Sequence, residues 1–103
     1  MEGRLELHNI LKSLTTNVYY EPADGQQLVY PCIVYNRQNL DNKRANNANL
    51  YVGNINYNVT YMSRNGGVTM MKNLLKALPS ASLINIMTVQ GIYHETYSVY
   101  FRL

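Results

Sequence analysis

The sequence predicts one α+β domain over residues 1–103, in which two helices pack on one face of a single sheet of about five strands. Three observations support this. The chain has the length of one domain. Two segments carry apolar residues at helical spacing, and five have the composition or alternation of strands, in the order α-β-β-β-α-β-β. Short connections favour hairpins between neighbouring strands, so we expect an antiparallel sheet, mixed at most.

The first helix is predicted over residues 2–14. Its apolar residues recur at i, i+3, i+4 and i+7 and form one stripe: Leu7, Ile10, Leu11 and Leu14. Thr15, Thr16 and Asn17 break the pattern. A short strand over residues 18–20 follows, and it ends before Pro22.

The second and third strands are separated by a long polar loop. The second is predicted over residues 28–35, with Pro31 at its start, in a bulge or at a sheet edge, because proline cannot donate a ladder hydrogen bond. Residues 39–49 are nearly all polar and exceed the usual hairpin loop. The third strand alternates apolar Ile55, Tyr57, Val59 and Tyr61 with asparagine and threonine, which is typical of a sheet covered on one side only.

The second helix is predicted over residues 68–78. Its apolar stripe consists of Val68, Met71, Leu74, Leu75 and Leu78, and Pro79 ends it. Two strands, 83–90 and 93–102, then flank a turn at Gly91. In the last strand Tyr93, Tyr97, Val99 and Phe101 are predicted on one face, and His94, Thr96, Ser98 and Tyr100 on the other.

The composition favours uncharged contacts. Only 15% of the residues are charged, whereas there are 14 asparagines and 10 tyrosines. Tyrosine is enriched at protein interfaces, although it also fills ordinary strand positions, and composition alone leaves both interpretations open. The net charge is +3, but the basic residues are scattered along the sequence. The charge is therefore compatible with binding to a polyanion but does not indicate it, because nucleic-acid binders usually have clustered lysine and arginine.

The candidate reactive residues form no catalytic or metal-binding pattern. His8, His94, Cys32 and the acids lack the spacings of zinc or calcium motifs. His94 and Glu95 are neighbours on a strand and therefore point to opposite faces. The Asn65-Gly66-Gly67 turn lacks the lysine of a P-loop. We therefore expect no enzyme activity and no cofactor.

Neither a signal peptide nor a membrane span is indicated. The first residues lack the basic and apolar regions of a signal peptide, and no apolar run approaches about 20 residues. A single cysteine excludes an intramolecular disulfide. We expect a soluble protein made in a cytoplasm, with no membrane contact.

Four segments together resemble a known family. They are residues 4–12 (RLELHNILK), 17–22 (NVYYEP), 28–35 (LVYPCIVY) and 57–61 (YNVTY). In their order and composition they are similar to the tail terminator proteins of long-tailed bacteriophages, also called tail completion or tail-to-head joining proteins. The resemblance spans essentially the whole chain. It departs from the family at residues 62–67, where a more acidic turn is expected.

The resemblance implies a structural role. Such proteins form a ring, typically a hexamer, which caps the tail tube, stops its polymerisation and presents a surface to the neck of the head. The implied partners are copies of the chain itself, the tail tube protein and a head-completion or neck protein. The implied location is the tail–neck junction of the virion, and the host cytoplasm during assembly.

The polar loop is the implied contact region of that ring. Lys43 and Arg44 at its centre are either a solvated loop tip or a contact with a partner subunit or a nucleic-acid backbone. Viral DNA would pass through the ring without sequence reading. The residues expected to line the ring opening or to contact a partner are Arg37, Asn42, Lys43, Arg44, Asn46 and Asn47. The alternative hypothesis is a small basic module that binds nucleic acid, in which tyrosines stack on bases.

Overall fold

Two helices and five strands follow one another in the predicted order. In the computed structural model, residues 3–23, 25–37, 54–66 and 68–102 are described. The elements are α1 (Gly3–Leu14), β1 (Val18–Tyr20), β2 (Cys32–Arg37), β3 (Asn54–Ser63), α2 (Val68–Ala77), β4 (Ser82–Val89) and β5 (Ile92–Arg102). The strands form one open sheet in the order β1-β2-β3-β5-β4. The predicted α+β class is confirmed.

The pairing of β1 with β2 differs from the predicted hairpin. The two strands are parallel, with Val18 beside Ile33, whereas the other pairs are antiparallel. The sheet is therefore mixed. β2 begins at Cys32 and not at residue 28, because Pro31 has no N–H to donate, and Ile33 N is the donor to Asn17 O at 2.8 Å. Residues 21–31 carry the chain back to the end of the sheet from which β1 started.

Both helices cover the same face of the sheet. Leu7 and Leu11 of α1 and Leu74 and Leu78 of α2 are buried, as the apolar stripes predict. They pack into one core against the helix-facing residues of β2, β3 and β5, which are Ile33, Tyr35, Tyr57, Val59, Tyr61, Tyr97 and Val99. Leu75 is an exception to the predicted stripe, because it lies exposed on α2.

The opposite face, called here the open face, is lined by polar side chains from β3 and β5. Thr60 Oγ1 lies 3.1 Å from Thr96 Oγ1, and the Ser98 hydroxyl donates to Asn56 Oδ1 at 3.0 Å. These cross-strand hydrogen bonds satisfy the hydroxyl and amide groups between neighbouring strands. The alternation in β3 therefore predicts the two faces correctly.

Candidate functional site

The outer strand β4 leaves apolar side chains in solvent. Among the described residues it pairs with β5 alone, so the backbone groups of its other side form an open edge of the described sheet. Four of its eight residues are large, apolar and exposed, namely Ile84, Ile86, Met87 and Val89. We call this strand with its four apolar residues the β4 edge.

The exposure follows from how the β4–β5 hairpin is built. Its tight turn has positive φ at both Gln90 and Gly91, which is the geometry of a two-residue type I′ loop. Ile86 lies opposite Glu95 on the helix side of the sheet, and Met87 lies opposite His94 on the open face. Apolar groups consequently reach solvent on both faces of the hairpin.

The β4 edge has little of the usual protection of an edge strand. Natural proteins place lysine, proline, an inward-pointing charge or a β-bulge on such strands to prevent pairing with another chain. The strand sequence SLINIMTV contains no charge and no proline. A register shift between Leu83 and Asn85 is its one irregularity, and Ile84 between them is 56% exposed. Apolar residues exposed together on such a strand are typical of surfaces that contact other proteins.

A pocket opens beside the β4 edge on the helix side of the sheet. It has a volume of about 690 Å³ and lies between the start of α2 and the hairpin. We call it the Glu95 pocket; its walls include Tyr61, Asn65, Thr69, Asn73 and Ile86. Glu95 is only 5% exposed, and its Oε1 atom has no hydrogen-bond partner among the described residues.

Tyr97 is a second polar group without a partner on the same face. It follows Glu95 at the next helix-facing position of β5, and its hydroxyl is buried with no hydrogen bond. Burial raises the pKa of Tyr97 to about 12, and the negative charge of Glu95 adds to that shift. The phenol therefore stays protonated at neutral pH. Buried polar atoms are normally satisfied, so two neighbouring exceptions call for a physical explanation.

Of the predicted contact residues, only Arg37 lies among the described residues. It ends β2, and its Nε atom is 3.4 Å from Glu21 Oε2. A hydrogen bond from the Arg37 backbone N–H to Glu21 Oε2 lowers the pKa of Glu21, and the Arg37 side chain adds to this shift. The other five predicted contact residues lie outside the described residues: Asn42, Lys43, Arg44, Asn46 and Asn47.

Other arginines of the described part of the chain contact tyrosine rings. The Arg4 guanidinium lies 4.5 Å from the ring centre of Tyr20, and that of Arg64 lies 5.7 Å from the ring centre of Tyr30. Both distances are within the range of a cation–π interaction. Some of the tyrosines therefore serve this chain's own structure and not an interface.

The histidines and the cysteine have structural environments. His8 Nδ1 is 2.7 Å from the Tyr35 hydroxyl, and burial, followed by the charges of Lys12 and Arg4, lowers the pKa of His8. Cys32 is fully buried, which raises the pKa of its thiol. Within the described ranges, no group of three or more histidine, cysteine or acidic residues is placed to hold a metal ion.

Two features were not predicted from the sequence: the exposure of apolar residues on the β4 edge and the burial of Glu95. The signal for the first was present, because residues 82–90 contain no charge and no proline. The signal for the burial of Glu95 was its position in the strand. Alternate residues of a strand lie on the same face, so Glu95 lies with Tyr93 and Tyr97 on the helix-facing side of β5. The expectation that His94 and Glu95 point to opposite faces is confirmed, because only Glu95 lies on that side.

Comparisons with known proteins find no family model, no curated protein and no solved structure that matches this chain. Among the helices of the described residues, none is long and apolar enough to cross a membrane.

Proposed function

We propose that this chain is a structural subunit of the tail terminator type. Copies of it assemble into a ring, expected to be a hexamer. This ring caps the tail tube of a long-tailed bacteriophage. The ring ends tube polymerisation and joins the tail to the neck of the head. Its partners are further copies of the chain, the tail tube protein and a head-completion protein, and viral DNA passes through it.

The β4 edge is the observation that carries this proposal. Four exposed apolar residues on an open, uncharged strand are costly in water, and burial against another protein removes that cost. If the β4 edge of one copy docks on a different surface of the next copy, the contact is head to tail, and it closes into a ring when the rotation between copies is right. A contact of that kind suits a ring subunit.

The order of the elements gives further support. The chain runs from an N-terminal helix through two strands, a long polar segment and a third strand to a helix and a closing hairpin. That order agrees with the family pattern on which the resemblance rests. The proposed function depends on contacts between protein surfaces and requires no covalent step.

A nucleic-acid module is less well supported by the described residues. Three of their arginines are engaged within the chain: Arg37 with Glu21, Arg4 with Tyr20 and Arg64 with Tyr30. A guanidinium already held by a carboxylate or a ring is less available for phosphate contacts, which supply most non-specific affinity for nucleic acid.

Sedimentation velocity tests the proposal directly. The protein is measured alone and mixed with short tail tubes, and electron microscopy locates it on the tubes. We expect a species of six times the chain mass, or a cap on one end of each tube and no further tube growth. A monomer that also fails to bind tube ends contradicts the proposal. Salt-dependent binding of oligonucleotides by that monomer would favour the nucleic-acid module instead.

A further inference from the structure

The Glu95 pocket has a pronounced charge imbalance. Glu95 is the one charged residue among the described residues that line it, and the remainder of its polar wall is neutral, with Asn65, Thr69 and Asn73 at the α2 side. The pocket is open to solvent, because Ile86 and Tyr93 at its rim are exposed. The carboxylate itself is almost completely covered, so a group from outside contacts it only when these rim side chains move aside.

A buried carboxylate oxygen without a partner is unfavourable. Removing an ionised group from water costs several kcal/mol unless hydrogen bonds or an opposite charge compensate. Glu95 Oε1 has no hydrogen-bond partner, although the carboxylate is almost completely shielded from solvent. A positively charged donor at this position would remove the deficit.

The start of α2 compensates only part of this charge. Gly66 and Thr69 at that helix start line the same pocket, and α2 has no acidic residue in its own first turn. The N-terminus of a helix carries about half a positive charge, whereas the carboxylate carries a full negative one. The balance remains negative, so the pocket attracts a cation and not an anion.

We propose that the Glu95 pocket receives the guanidinium or ammonium group of an arginine or lysine side chain from a second copy of this chain. The inference deepens the proposed function and rests on it for the identity of the partner. Binding of a cation depends on the residues of the pocket alone, so it can be tested on the monomer.

Two observations favour a second copy as the source. Ile86 belongs both to the β4 edge and to the wall of the pocket, so a chain that docks on the edge also covers the pocket mouth. The chain has nine basic and six acidic residues, and its net charge of +3 makes copies repel one another. A basic side chain placed against Glu95 converts part of that repulsion into attraction.

The first test measures the pocket with a small probe. N-acetyl-arginine amide is titrated into labelled protein, and backbone NMR shifts are followed at residues 65–73 and 86–95. N-acetyl-citrulline amide, which has the same shape without the charge, is the matched control ligand. We expect saturable shifts with the arginine probe only. Replacement of Glu95 by glutamine should weaken the probe roughly ten- to hundredfold, the usual range for a charge-assisted hydrogen bond.

Three further variants serve as controls for this test. Glu21→Gln removes a carboxylate next to β1, at the lateral edge of the sheet opposite β4, and should leave probe affinity unchanged. Ile86→Lys places an ammonium group directly across the strand pair from Glu95, so it should block the probe even though Glu95 is intact. Ile86→Gln is its neutral counterpart and should bind the probe as the wild type does. Equal probe affinity in wild type and Glu95→Gln overturns the cation pocket.

The second test addresses the source of the cation. The dissociation constant of the assembly is measured by sedimentation for wild type, Glu95→Gln and Glu21→Gln. We expect Glu95→Gln alone to weaken association by tenfold or more. Unchanged association of Glu95→Gln, or a wild type that associates neither alone nor on tube ends, shows that the cation does not come from a second copy.

The two tests separate this inference from the proposed function. A ring or tube cap that forms normally with Glu95→Gln contradicts the inference and leaves the proposed function standing. A monomer that ignores tube ends but binds the arginine probe contradicts the proposed function and leaves the cation pocket standing.

Discussion

The two lateral halves of the sheet satisfy their polar groups to different degrees. In the half formed by α1, β1 and β2, His8 is bonded to Tyr35, Arg4 lies over Tyr20, and the outer strand has only three residues. In the β4–β5 half the outer strand has eight residues, several apolar side chains are exposed, and Glu95 Oε1 and Tyr97 Oη have no partner.

If the chain assembles as proposed, this contrast separates the part that completes the folded monomer from the part that makes the contacts between copies. The first half is completed by the chain's own side chains, so changes there should act mainly on the stability of the monomer. In the second half, apolar surface is exposed to solvent, and two buried polar atoms have no hydrogen-bond partner among the described residues. Changes there should act mainly on association, and some should even stabilise the monomer.

The largest expected effect is on association through the β4 edge. Ile84→Lys puts a charge on this strand, and we expect assembly to weaken by roughly thirtyfold or more, which corresponds to about 2 kcal/mol. The free energy of unfolding should change by less than about 0.5 kcal/mol, because Ile84 is exposed. Sedimentation and urea unfolding measure the two quantities.

The matched control is Val29→Lys. Val29 is 58% exposed, close to the 56% of Ile84, but it lies near β1, where its N–H donates to the Tyr19 hydroxyl. We expect assembly and stability to remain as in the wild type. If both lysines weakened assembly equally, the effect would be one of net charge, and the contrast between the halves would fail.

Removal of single tyrosine hydroxyls should have opposite effects in the two halves. Tyr35→Phe loses the hydrogen bond to His8 and should lower the free energy of unfolding by about 1 kcal/mol. Tyr97→Phe removes a buried hydroxyl without a partner and should raise it by an amount on the order of 1 kcal/mol. Urea unfolding of both variants checks this, and a loss of stability in Tyr97→Phe would contradict it.

Alkaline pH should destabilise the protein partly through Tyr97. The pKa of Tyr97 is raised from 10.0 in the unfolded chain to about 12 in the folded one, so the folded state holds the proton more tightly. Its contribution is complete below pH 10 and is lost as the pH rises towards 12. Tyr97→Phe should therefore show a shallower fall of unfolding free energy between pH 10 and 12. Parallel curves for the variant and the wild type would contradict the assignment.

The smallest expected effect concerns His8. Burial lowers the pKa of His8 below its ordinary value of 6.5, so the folded state favours the neutral ring. Its contribution to stability is present above pH 6.5 and is lost as the pH falls through the lower, folded pKa. In His8→Gln the unfolding free energy should vary less between pH 7 and 5. A steeper dependence in the variant would show that another group is responsible.

Periodicity predicted the interior of this fold well. Leu7, Leu11, Leu74 and Leu78 are buried as their spacing indicates, because a helix that packs on a sheet must bury one stripe. The alternation in β3 likewise predicted which side chains the helices cover. These are local patterns, and local patterns suffice when one element meets one surface.

The candidate site depends on the order of strands, which no local pattern contains. β5 inserts between β3 and β4, and this leaves β4 at the edge with its apolar residues uncovered. Glu95 looks like an ordinary exposed acid in the sequence, yet its strand position directs it under the helix layer. The parallel pairing of the consecutive strands β1 and β2 was missed for a different reason, because hairpin reasoning assumes that a short connection reverses the chain direction.

The burial of Cys32 has a practical consequence for chemical labelling. It is the only cysteine of the chain, and burial raises the pKa of its thiol, so little of the reactive thiolate exists at neutral pH. A cysteine introduced on the protein surface would then be the fastest-reacting thiol of the folded molecule. A fluorophore or spin label can be attached at one chosen position without removing Cys32 from the strand that it helps to build.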